Sequence, residues 1–595
     1  MLLLTILSFY KEEELSMLLI HKHFTIFLLT TFMVFAAPNN IENNNSDTNT
    51  TASLKKLLQT NSSKFLKNIP QKRFLKKFYR HNHYETLWIQ NNILNQQKYS
   101  TLFQSINMDP TLNKKGHIFQ QYKNLNQFIS DTNLTETKLL KVEMKLSSLY
   151  YNFLKHSIYG EIEWKKFSYK LTSLKKSRIN ASWIKYRPKY KLEKLMIQED
   201  INSTINEITP KKFGYKGLFL ALEKLETLKE AGGWKKLPSF KKLSLGSTGD
   251  IVLQLRSRLK NSGDYLTCED NNSKIIVNQE TNESKQLTTK KEEVHLDKNA
   301  IFGSCLDKAV KRFQKRHGLM VDGIVGGGTQ KALNITVDAK IRKVLLNIDR
   351  IKWLPRDEHE RYLVVNIPEF MLHYIEGNTT KQELRVIVGD KRHPTPVFSQ
   401  KISFIVLNPY WKVPEGIVKR EVVPAMIKNP NYLRRQGLEA HRTWDENSRI
   451  MDTSYLYWED YLYGGQRFPY RLMQPPGPRN ALGKIKFKFP NRFSVYLHDT
   501  PTRYLFKKTV RAFSHGCVRL SQPRELLKTI AAFNSTIDFT KAKKILRGKR
   551  KTQLNMKENL PINLVYLTAG INENGELEFR NDIYRYDKFT KRRSN

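Results

Sequence analysis

The strongest constraint on the fold is a change of sequence pattern near residue 345. Upstream of it, apolar residues recur every three or four positions, as in the stretch 138–157, which is typical of an amphipathic helix. Downstream, stretches such as 361–367, 384–389 and 402–411 are short, rich in Val, Ile, Phe and Tyr, and bounded by Pro, Gly or Asn, as β-strands are. The 595 residues therefore predict a multi-domain α+β protein, helical first and mostly β afterwards.

Residues 1–37 have the composition of a secretory signal, and Met17 is a second candidate start. An apolar run at 24–37 follows a basic flank and ends in small residues, with cleavage expected near Ala36. The alternative is an uncleaved anchor that holds the protein at the inner membrane. That run is shorter than the ~20 residues that span a bilayer comfortably, so we predict export and leave cleavage open.

The net charge of +45 raises the question of a nucleic-acid partner, because clustered Lys and Arg neutralise phosphates. Export argues against such a partner, and the basic residues are spread along the whole chain rather than clustered. We therefore expect no nucleic-acid binding. At most, the basic surface attracts the protein to an anionic polymer outside the cytoplasm.

Two regions precede the first compact module. Residues 38–60 are polar and almost free of apolar side chains, which predicts a disordered linker. Residues 61–240 are basic with apolar positions at helical spacing, which predicts a helical scaffold domain. No chemistry is visible in that domain, and we expect aromatic residues such as Trp88 to lie in its core.

Residues 241–336 predict a small three-helix module. A Gly-rich turn opens one helix, Gly318 ends a second, and a further Gly-rich turn begins a third. The two halves resemble a peptidoglycan-binding module, most clearly in RFQKRHGL at 312–319 and VDGIVGGGT at 321–329. A polar insert at 267–305 separates the halves, so glycan binding and a purely scaffolding role both stay open.

The mostly β domain is predicted to span 345–540, with an insertion at 414–482. The insertion has a helical part at 424–437 and an aromatic-rich part after it, and its position inside the β domain predicts a lid. The remaining residues, 541–595, are interpreted as a basic, solvated segment followed by a pair of closing strands of the catalytic domain.

The loop SHGC at 514–517 holds one of three cysteines in the chain. A cysteine nucleophile needs a base that takes its proton and donors that stabilise an oxyanion. Alternation along the predicted strand 493–498 places His498 at its end, on the face opposite the buried residues. The glycine beside the thiol leaves backbone amides available, so Gly516 and Cys517 are candidate oxyanion donors. A purely structural role is the alternative for each residue alone, since isolated cysteines are commonly small buried hydrophobes.

Together, His498 and the run from Ser514 to Arg519 resemble the active-site signature of the YkuD-like L,D-transpeptidases. The commoner signature has Asn where this chain has Arg519. The large periplasmic branch of the family is similar to this chain in having arginine at this position and in three further segments: LNPYWKVP, QPPGPRNALGKIKFKFPN and YLHDTP. That branch combines a helical scaffold, a peptidoglycan-binding module and a lidded catalytic domain, which implies a periplasmic protein of a Gram-negative type envelope.

The resemblance implies a two-step acyl transfer on peptidoglycan stem peptides, with no cofactor and no metal. The Cys517 thiolate attacks the carbonyl of the diamino acid in a donor tetrapeptide and expels D-Ala, with His498 as base and then acid. An amine of a neighbouring stem then opens the thioester, which gives a 3→3 cross-link. Carbapenems are expected to acylate the same thiol. Hydrolysis, exchange of D-Ala for another D-amino acid, and a non-catalytic wall-binding role are the alternatives.

Several further residues are secondary candidates. In the family, the residue after the catalytic histidine orients it, so Asp499 is the expected orienter, through either its carbonyl or its carboxylate. The remaining candidates are expected to contact substrate, and packing is the alternative for each: Tyr496, Arg519, Ser514, Trp411 and Asn480.

Cys268 and Cys305 stand at the two ends of the polar insert. An exported protein meets an oxidising compartment, where cysteines pair if their geometry permits. A bond between them closes a loop of about 37 residues, stabilises by roughly 4 kcal/mol at most, and leaves Cys517 as the free thiol. The alternative is two reduced cysteines beside a polar loop, because the distance between them cannot be read from sequence.

Overall fold

The computed structural model describes residues 46–60, 62–130, 135–266, 268, 298–357, 359–377 and 379–593. The predicted signal at 1–37 lies outside the described residues, together with its cleavage near Ala36. Most of the polar insert at 267–305 lies outside them as well. Within the described part of the chain, no helix is both long and apolar enough to cross a bilayer.

The N-terminal region is helical apart from a short hairpin of strands β1 (Ile89–Gln90) and β2 (Ile93–Leu94). Its core packs around the long helix Glu136–Tyr159, whose apolar stripe is buried as predicted. Trp88 lies in the same core. The helices of this region are α1 (Ser46–Thr60), α2 (Ser62–Phe65), α3 (Lys72–His81), α4 (Gln96–Met108), α5 (His117–Ser130), α6 (Glu136–Tyr159), α7 (Trp164–Ser173), α8 (Leu192–Met196), α9 (Ile201–Ile208) and α10 (Tyr215–Glu230).

The prediction of a disordered linker at 38–60 is wrong for the second part of that segment. Residues Ser46–Thr60 form helix α1, and its Leu54 and Leu58 are buried in the core of the helical region. Those two leucines stand four residues apart, a spacing that places them on one face of a helix. The polar residues around them concealed this face in the sequence.

A small helical unit with its own core follows. It consists of α11 (Asp250–Asn261), α12 (Ser304–Arg316) and α13 (Gly327–Leu333), whose apolar faces meet. A disulfide joins Cys268 to Cys305, with their Cα atoms 5.8 Å apart. The bond holds the two ends of the polar insert together, and Cys517 is the free cysteine.

The C-terminal region is built on a nine-stranded mixed sheet, in the order β12-β5-β13-β11-β10-β6-β14-β3-β4. Helix α14 (Val337–Ile351) and α10 pack on one face of this sheet. Helices α19 (Pro523–Phe533) and α20 (Phe539–Arg547) pack on the other. The strands of the sheet are β3 (Arg361–Asn366), β4 (Met371–Glu376), β5 (Thr379–Gly389), β6 (Phe398–Leu407), β10 (Ile485–Lys488), β11 (Leu497–His498), β12 (Ala512–Ser514), β13 (Val518–Leu520) and β14 (Thr552–Val565). The predicted fold class is confirmed: a helical N-terminal region, a small helical module and a β-rich C-terminal domain.

The catalytic sheet extends past the predicted boundary at residue 540, because part of the segment interpreted as basic and solvated forms the first half of one of its strands. Strand β14 lies between β6 and β3, antiparallel to the first and parallel to the second. The first half of β14 is polar and largely exposed, whereas its second half is buried. That exposed half made the basic segment resemble a solvated surface. A short hairpin of β15 (Ala569–Ile571) and β16 (Leu577–Phe579) and the helix α21 (Tyr586–Phe589) follow.

The insertion at 414–482 forms a subdomain with its own small sheet and core. Strands β7 (Trp411–Lys412), β8 (Glu439–His441) and β9 (Arg471–Gln474) pair in the order β7-β9-β8. An apolar cluster that includes Val422, Trp458 and Leu472 lies beneath them. The helices of the subdomain are α15 (Glu415–Ile417), α16 (Val423–Lys428), α17 (Tyr432–Gln436) and α18 (Trp458–Leu462).

Candidate active site

Two neighbouring parallel strands bring the predicted base and nucleophile onto one face of the sheet. Strand β11 pairs with β13 so that Leu497 lies opposite Val518, and His498 lies opposite Arg519. Leu497 and Val518 are buried in the core beneath the sheet. Because side chains alternate along a strand, His498 and Cys517 lie on the other face as diagonal neighbours. The thiol of Cys517 is half-buried.

The strand that carries His498 is shorter than the predicted span 493–498. Regular pairing is confined to β11, because Ser494 takes a left-handed conformation with φ 55° and turns the chain. This turn directs the Ser494 carbonyl toward Cys517, whose Sγ donates to it at 3.7 Å. The ring of Tyr496 meets the ring of His498 edge-on, with centroids 5.6 Å apart.

His498 is held as a neutral imidazole. Its Nδ1 donates to the main-chain carbonyl of Asp499 at 2.6 Å, which leaves Nε2 unprotonated and able to accept a proton. Burial lowers the pKa of His498 to about 3, the charges of Arg519 and Lys486 lower it as well, and the Asp499 carbonyl only partly opposes them. The side chain therefore has the protonation state that a general base needs at neutral pH.

The carboxylate of Asp499 has partners other than the histidine. It accepts from the backbone amides of Lys484 at 2.9 Å and Thr500 at 2.7 Å, and from the Arg503 guanidinium. Gly483 allows this approach: it has φ 59°, and a Cβ there would lie 2.4 Å from the Asp499 carboxyl carbon. The carbonyl is therefore the group that contacts the histidine, while the carboxylate anchors the turn that carries this carbonyl.

The thiol of Cys517 is protonated at neutral pH. Burial raises the pKa of Cys517 above its ordinary value of 9.0. Hydrogen bonds with the backbone and hydroxyl of Tyr496, and the charges of Lys486 and Lys488, offset only part of this effect. Because the thiol and the imidazole are both neutral, the proton has to move from sulfur to nitrogen during the attack itself.

The loop around the thiol corrects two sequence predictions. Gly516 has φ 109°, which favours glycine, and its amide donates to the Ser514 hydroxyl at 3.2 Å. Gly516 is therefore not a free oxyanion donor. Ser514 is buried and donates to the Cys517 carbonyl at 2.5 Å, so it shapes the loop instead of contacting substrate. Among the described residues, the Cys517 amide has no acceptor and stays available to an oxyanion.

Asn480 is a structural residue, which contradicts its predicted contact with substrate. It is 1% exposed, and its Nδ2 donates to the carbonyls of Pro409, Gln474 and Pro475. These bonds hold the chain where it leaves the lid. Trp411 lies in β7 of the lid sheet and packs against the lid core.

Lys486 also belongs to the site, and sequence reasoning missed it. Strand β10 pairs antiparallel with β11, which places Lys486 directly opposite His498 on the side away from Arg519. Its Nζ lies 3.9 Å from the centre of the Tyr496 ring. The available signal was the alternation of apolar and basic residues at 485–489, whose apolar members are all buried.

The thiol loop also contacts the lid. Nε2 of His515 lies 2.5 Å from Oε1 of Glu421, which stands in a π-helical turn of the lid, Val418–Val422. The ring of His515 also packs 4.7 Å from that of His393, which hydrogen-bonds to Asp390. The hydrogen bond from His515 holds the pKa of Glu421 below its ordinary value. The lid is thus joined to the loop two residues before Cys517.

Three segments of the chain match known protein families. Residues 360–545 match the YkuD family, described as "L,D-transpeptidase catalytic domain". Residues 73–222 match a family described as "Scaffold domain", and residues 290–333 match one described as "Putative peptidoglycan binding domain".

A curated protein of Haemophilus influenzae named "Putative L,D-transpeptidase" is 34% identical over 260 residues. The aligned part is 44% of this chain and 50% of that protein, so it spans about half the length of the curated relative.

Solved L,D-transpeptidase structures also align with the chain. The structure from Xylanimonas cellulosilytica is 15% identical and covers 55% of this chain and 99% of its own, at a TM-score of 0.16. The structure from Stackebrandtia nassauensis is 13% identical and covers 56% and 96%, at a TM-score of 0.20. Superpositions at these scores carry no argument about the fold.

Proposed function

We infer that the protein is a cysteine-dependent acyltransferase of peptidoglycan, and the match of residues 360–545 to the L,D-transpeptidase catalytic domain family supports this inference. The observation that carries the proposal is the pairing of a neutral, oriented imidazole with a thiol. His498 donates from Nδ1 to the Asp499 carbonyl, and Cys517 lies on the same face of the sheet. This arrangement supplies a base and a nucleophile side by side.

In the acylation step, Nε2 of His498 takes the thiol proton while Sγ of Cys517 attacks a peptide carbonyl. The Cys517 amide donates to the oxyanion that forms on the carbonyl oxygen. The carbon–nitrogen bond then breaks, and the imidazolium returns its proton to the leaving amine. The products are a thioester on Cys517 and a free amino acid.

In the second step, an acceptor amine attacks the thioester carbon and His498 takes the proton of that amine. The carbon–sulfur bond breaks and Cys517 recovers its thiol proton. We propose peptidoglycan stem peptides as both donor and acceptor, with D-Ala as the leaving group and a 3→3 cross-link as the product. The match of residues 290–333 to a peptidoglycan-binding family supports this substrate.

The site of action that we propose is the periplasm. The secretory signal predicted from the sequence at 1–37 supports this location, and so does the proposed cell-wall substrate. Fractionation of cells, with intact-mass measurement of the exported form, tests both export and cleavage near Ala36. A protein retained in the cytoplasm contradicts the proposed location.

The decisive experiment is incubation of the purified protein with disaccharide tetrapeptides, followed by mass spectrometry. We expect 3→3 dimers from the wild type and none from Cys517→Ala, which removes the nucleophile at little change in volume. Water as acceptor gives tripeptides, and an added D-amino acid gives exchanged tetrapeptides. Absence of all three products, together with no acyl-enzyme on Cys517, contradicts the proposal.

A further inference from the structure

Three side chains form a row across the candidate active site. The pairing of β10 with β11 sets Lys486 opposite His498, and the pairing of β11 with β13 sets His498 opposite Arg519. Residues in register on adjacent strands project from the same face of a sheet. The catalytic histidine is therefore flanked by a cation on each side.

Neither of these cations has an anion beside it. Within the described residues, the side-chain amine of Lys486 makes no ion pair and no hydrogen bond, and it lies over the face of the Tyr496 ring. The Nε of Arg519 is buried without a hydrogen-bond partner. Burial lowers the pKa of Lys486 to about 8 and lowers that of Arg519, as expected of cations removed from water without a counter-charge.

Two other lysines near the site show the opposite arrangement. Lys551 lies 2.6 Å from Glu446, and Lys412 lies 3.7 Å from the same carboxylate. These two lysines share a counter-charge within the protein. Among the described residues near the site, Lys486, Lys488 and Arg519 are cations without an ion pair, and Lys486 and Arg519 are the two of these in register with the histidine.

We propose that Lys486 determines specificity by binding, together with Arg519, the carboxylate of the amino acid that leaves during acylation. The inference rests on the proposed function, because it assigns a binding site to that leaving group. His498 returns a proton to the leaving nitrogen, and in a C-terminal amino acid only one carbon separates this nitrogen from the carboxylate. The side chains flanking the histidine are therefore the ones placed to receive it.

The same arrangement couples substrate binding to the basicity of the histidine. In the empty site, the two cations help keep His498 neutral. A bound carboxylate offsets these charges and stabilises the imidazolium at the moment when His498 takes the thiol proton. An amidated or internal residue brings no such charge, so the site selects C-terminal peptide bonds with a free acid.

The first test compares a tetrapeptide with a free C-terminal carboxylate and the same peptide as its C-terminal amide. The Lys486→Met variant should lose about ten- to a hundredfold in kcat/KM for the acid, as expected for a hydrogen bond to a charged group. Its change on the amide should be several-fold smaller than its loss on the acid, so that the acid-over-amide ratio falls. Lys486→Arg should restore much of the preference, and Lys551→Met, which removes a lysine that has a counter-charge, should match the wild type. An unchanged acid-over-amide ratio in Lys486→Met overturns the inference.

The second test needs no peptide, so it separates this inference from the proposed function. Iodoacetate and iodoacetamide alkylate the same thiol and differ mainly in negative charge, and Cys517 is the free cysteine. The measured quantity is the ratio of the alkylation rate with iodoacetate to the rate with iodoacetamide. This ratio should be several-fold higher for the wild type than for Lys486→Met. Equal ratios in the two proteins overturn the anion site. A shifted ratio in a protein that makes no peptide products supports the anion site and contradicts only the proposed function.

Discussion

Two histidines of the same sheet, one partly buried and one buried, have opposite electrostatic surroundings. His373, on β4, lies 3.2 Å from Glu369 through Nε2 and 3.2 Å from Glu383 through Nδ1. His498, on β11, lies between Lys486 and Arg519. Burial lowers the pKa of both, but the two carboxylates raise that of His373 to about 10, whereas the pKa of His498 falls to about 3.

The difference shows that the neighbours of a buried histidine, rather than its burial, decide its charge. The charges around His373 have partners within the protein, because Arg580 pairs with Glu369 at 3.0 Å and with Glu578 at 2.6 Å. The charges around His498 are not balanced. Cations without a counter-charge in the protein are typical of a catalytic or ligand-binding site. A network in which each charge has a partner is typical of structural support.

The largest expected effect comes from removing each imidazole in turn. His498→Gln removes the proposed general base and should slow formation of the acyl-enzyme by about 10²- to 10⁴-fold. His373→Gln, the matched control, should leave that rate close to the wild-type value, because no step of the mechanism uses His373. Stopped-flow or quenched measurement of thioester formation on Cys517 checks both. Equal losses in the two variants would contradict the distinction between the histidines.

The pH dependence of stability should have opposite signs at the two sites. The folded pKa of His373, about 10, exceeds its ordinary value of 6.5, so its contribution is complete below pH 6.5 and is lost as pH rises toward 10. The folded pKa of His498, about 3, lies below 6.5, so its effect is a loss of stability as pH falls from 6.5 toward 3.

The measurement is the free energy of unfolding of the catalytic domain as a function of pH. His373→Gln should flatten the alkaline limb by about 2 to 4 kcal/mol, since one pKa unit corresponds to about 1.4 kcal/mol. His498→Gln should flatten only the acid limb. Between pH 6.5 and 10, the free energy of unfolding should fall more steeply in the wild type than in His373→Gln. Equal slopes in the two proteins would contradict the raised pKa of His373.

Local patterns in the sequence predict the fold class, because periodicity records which face of an element is buried. The stripe of helix Glu136–Tyr159 is of this kind, and the continuous apolar run of β3 likewise marks a strand buried on both faces. The same patterns failed where burial covers only part of an element. Helix α1 buries two leucines among polar residues, and β14 is exposed along its first half. Both were therefore interpreted as solvated segments.

The candidate site divides in a similar way between local and non-local information. The SHGC loop and the histidine at the strand end each belong to a short contiguous sequence motif, which resemblance to a family can identify. The row formed by Lys486, His498 and Arg519 depends on the register of three strands, which no local pattern specifies. The structural role of Asn480 is likewise non-local, because its carbonyl partners come from two segments of the chain.

The smallest expected effect concerns a third histidine, which lies between the two extremes. His515 pairs with a single carboxylate, that of Glu421 in the lid, and the two side chains are 34% and 46% exposed. An exposed ion pair contributes roughly 0.2 to 1 kcal/mol, so its loss should shift the closed lid toward open by no more than about fivefold. Lids sequester and position substrate without supplying the nucleophile.

Glu421→Gln should therefore lower kcat/KM for a stem peptide by about two- to fivefold while iodoacetamide labels Cys517 faster by a similar factor. Glu415→Gln is the matched control, because Glu415 pairs with Arg467 inside the lid at 2.8 Å and has no contact with the thiol loop. It should change neither rate. If the ion pair closes the lid, its loss lowers kcat/KM for the peptide and raises the rate at which iodoacetamide labels Cys517. If both rates fall in Glu421→Gln, Glu421 instead supports the structure of the SHGC loop.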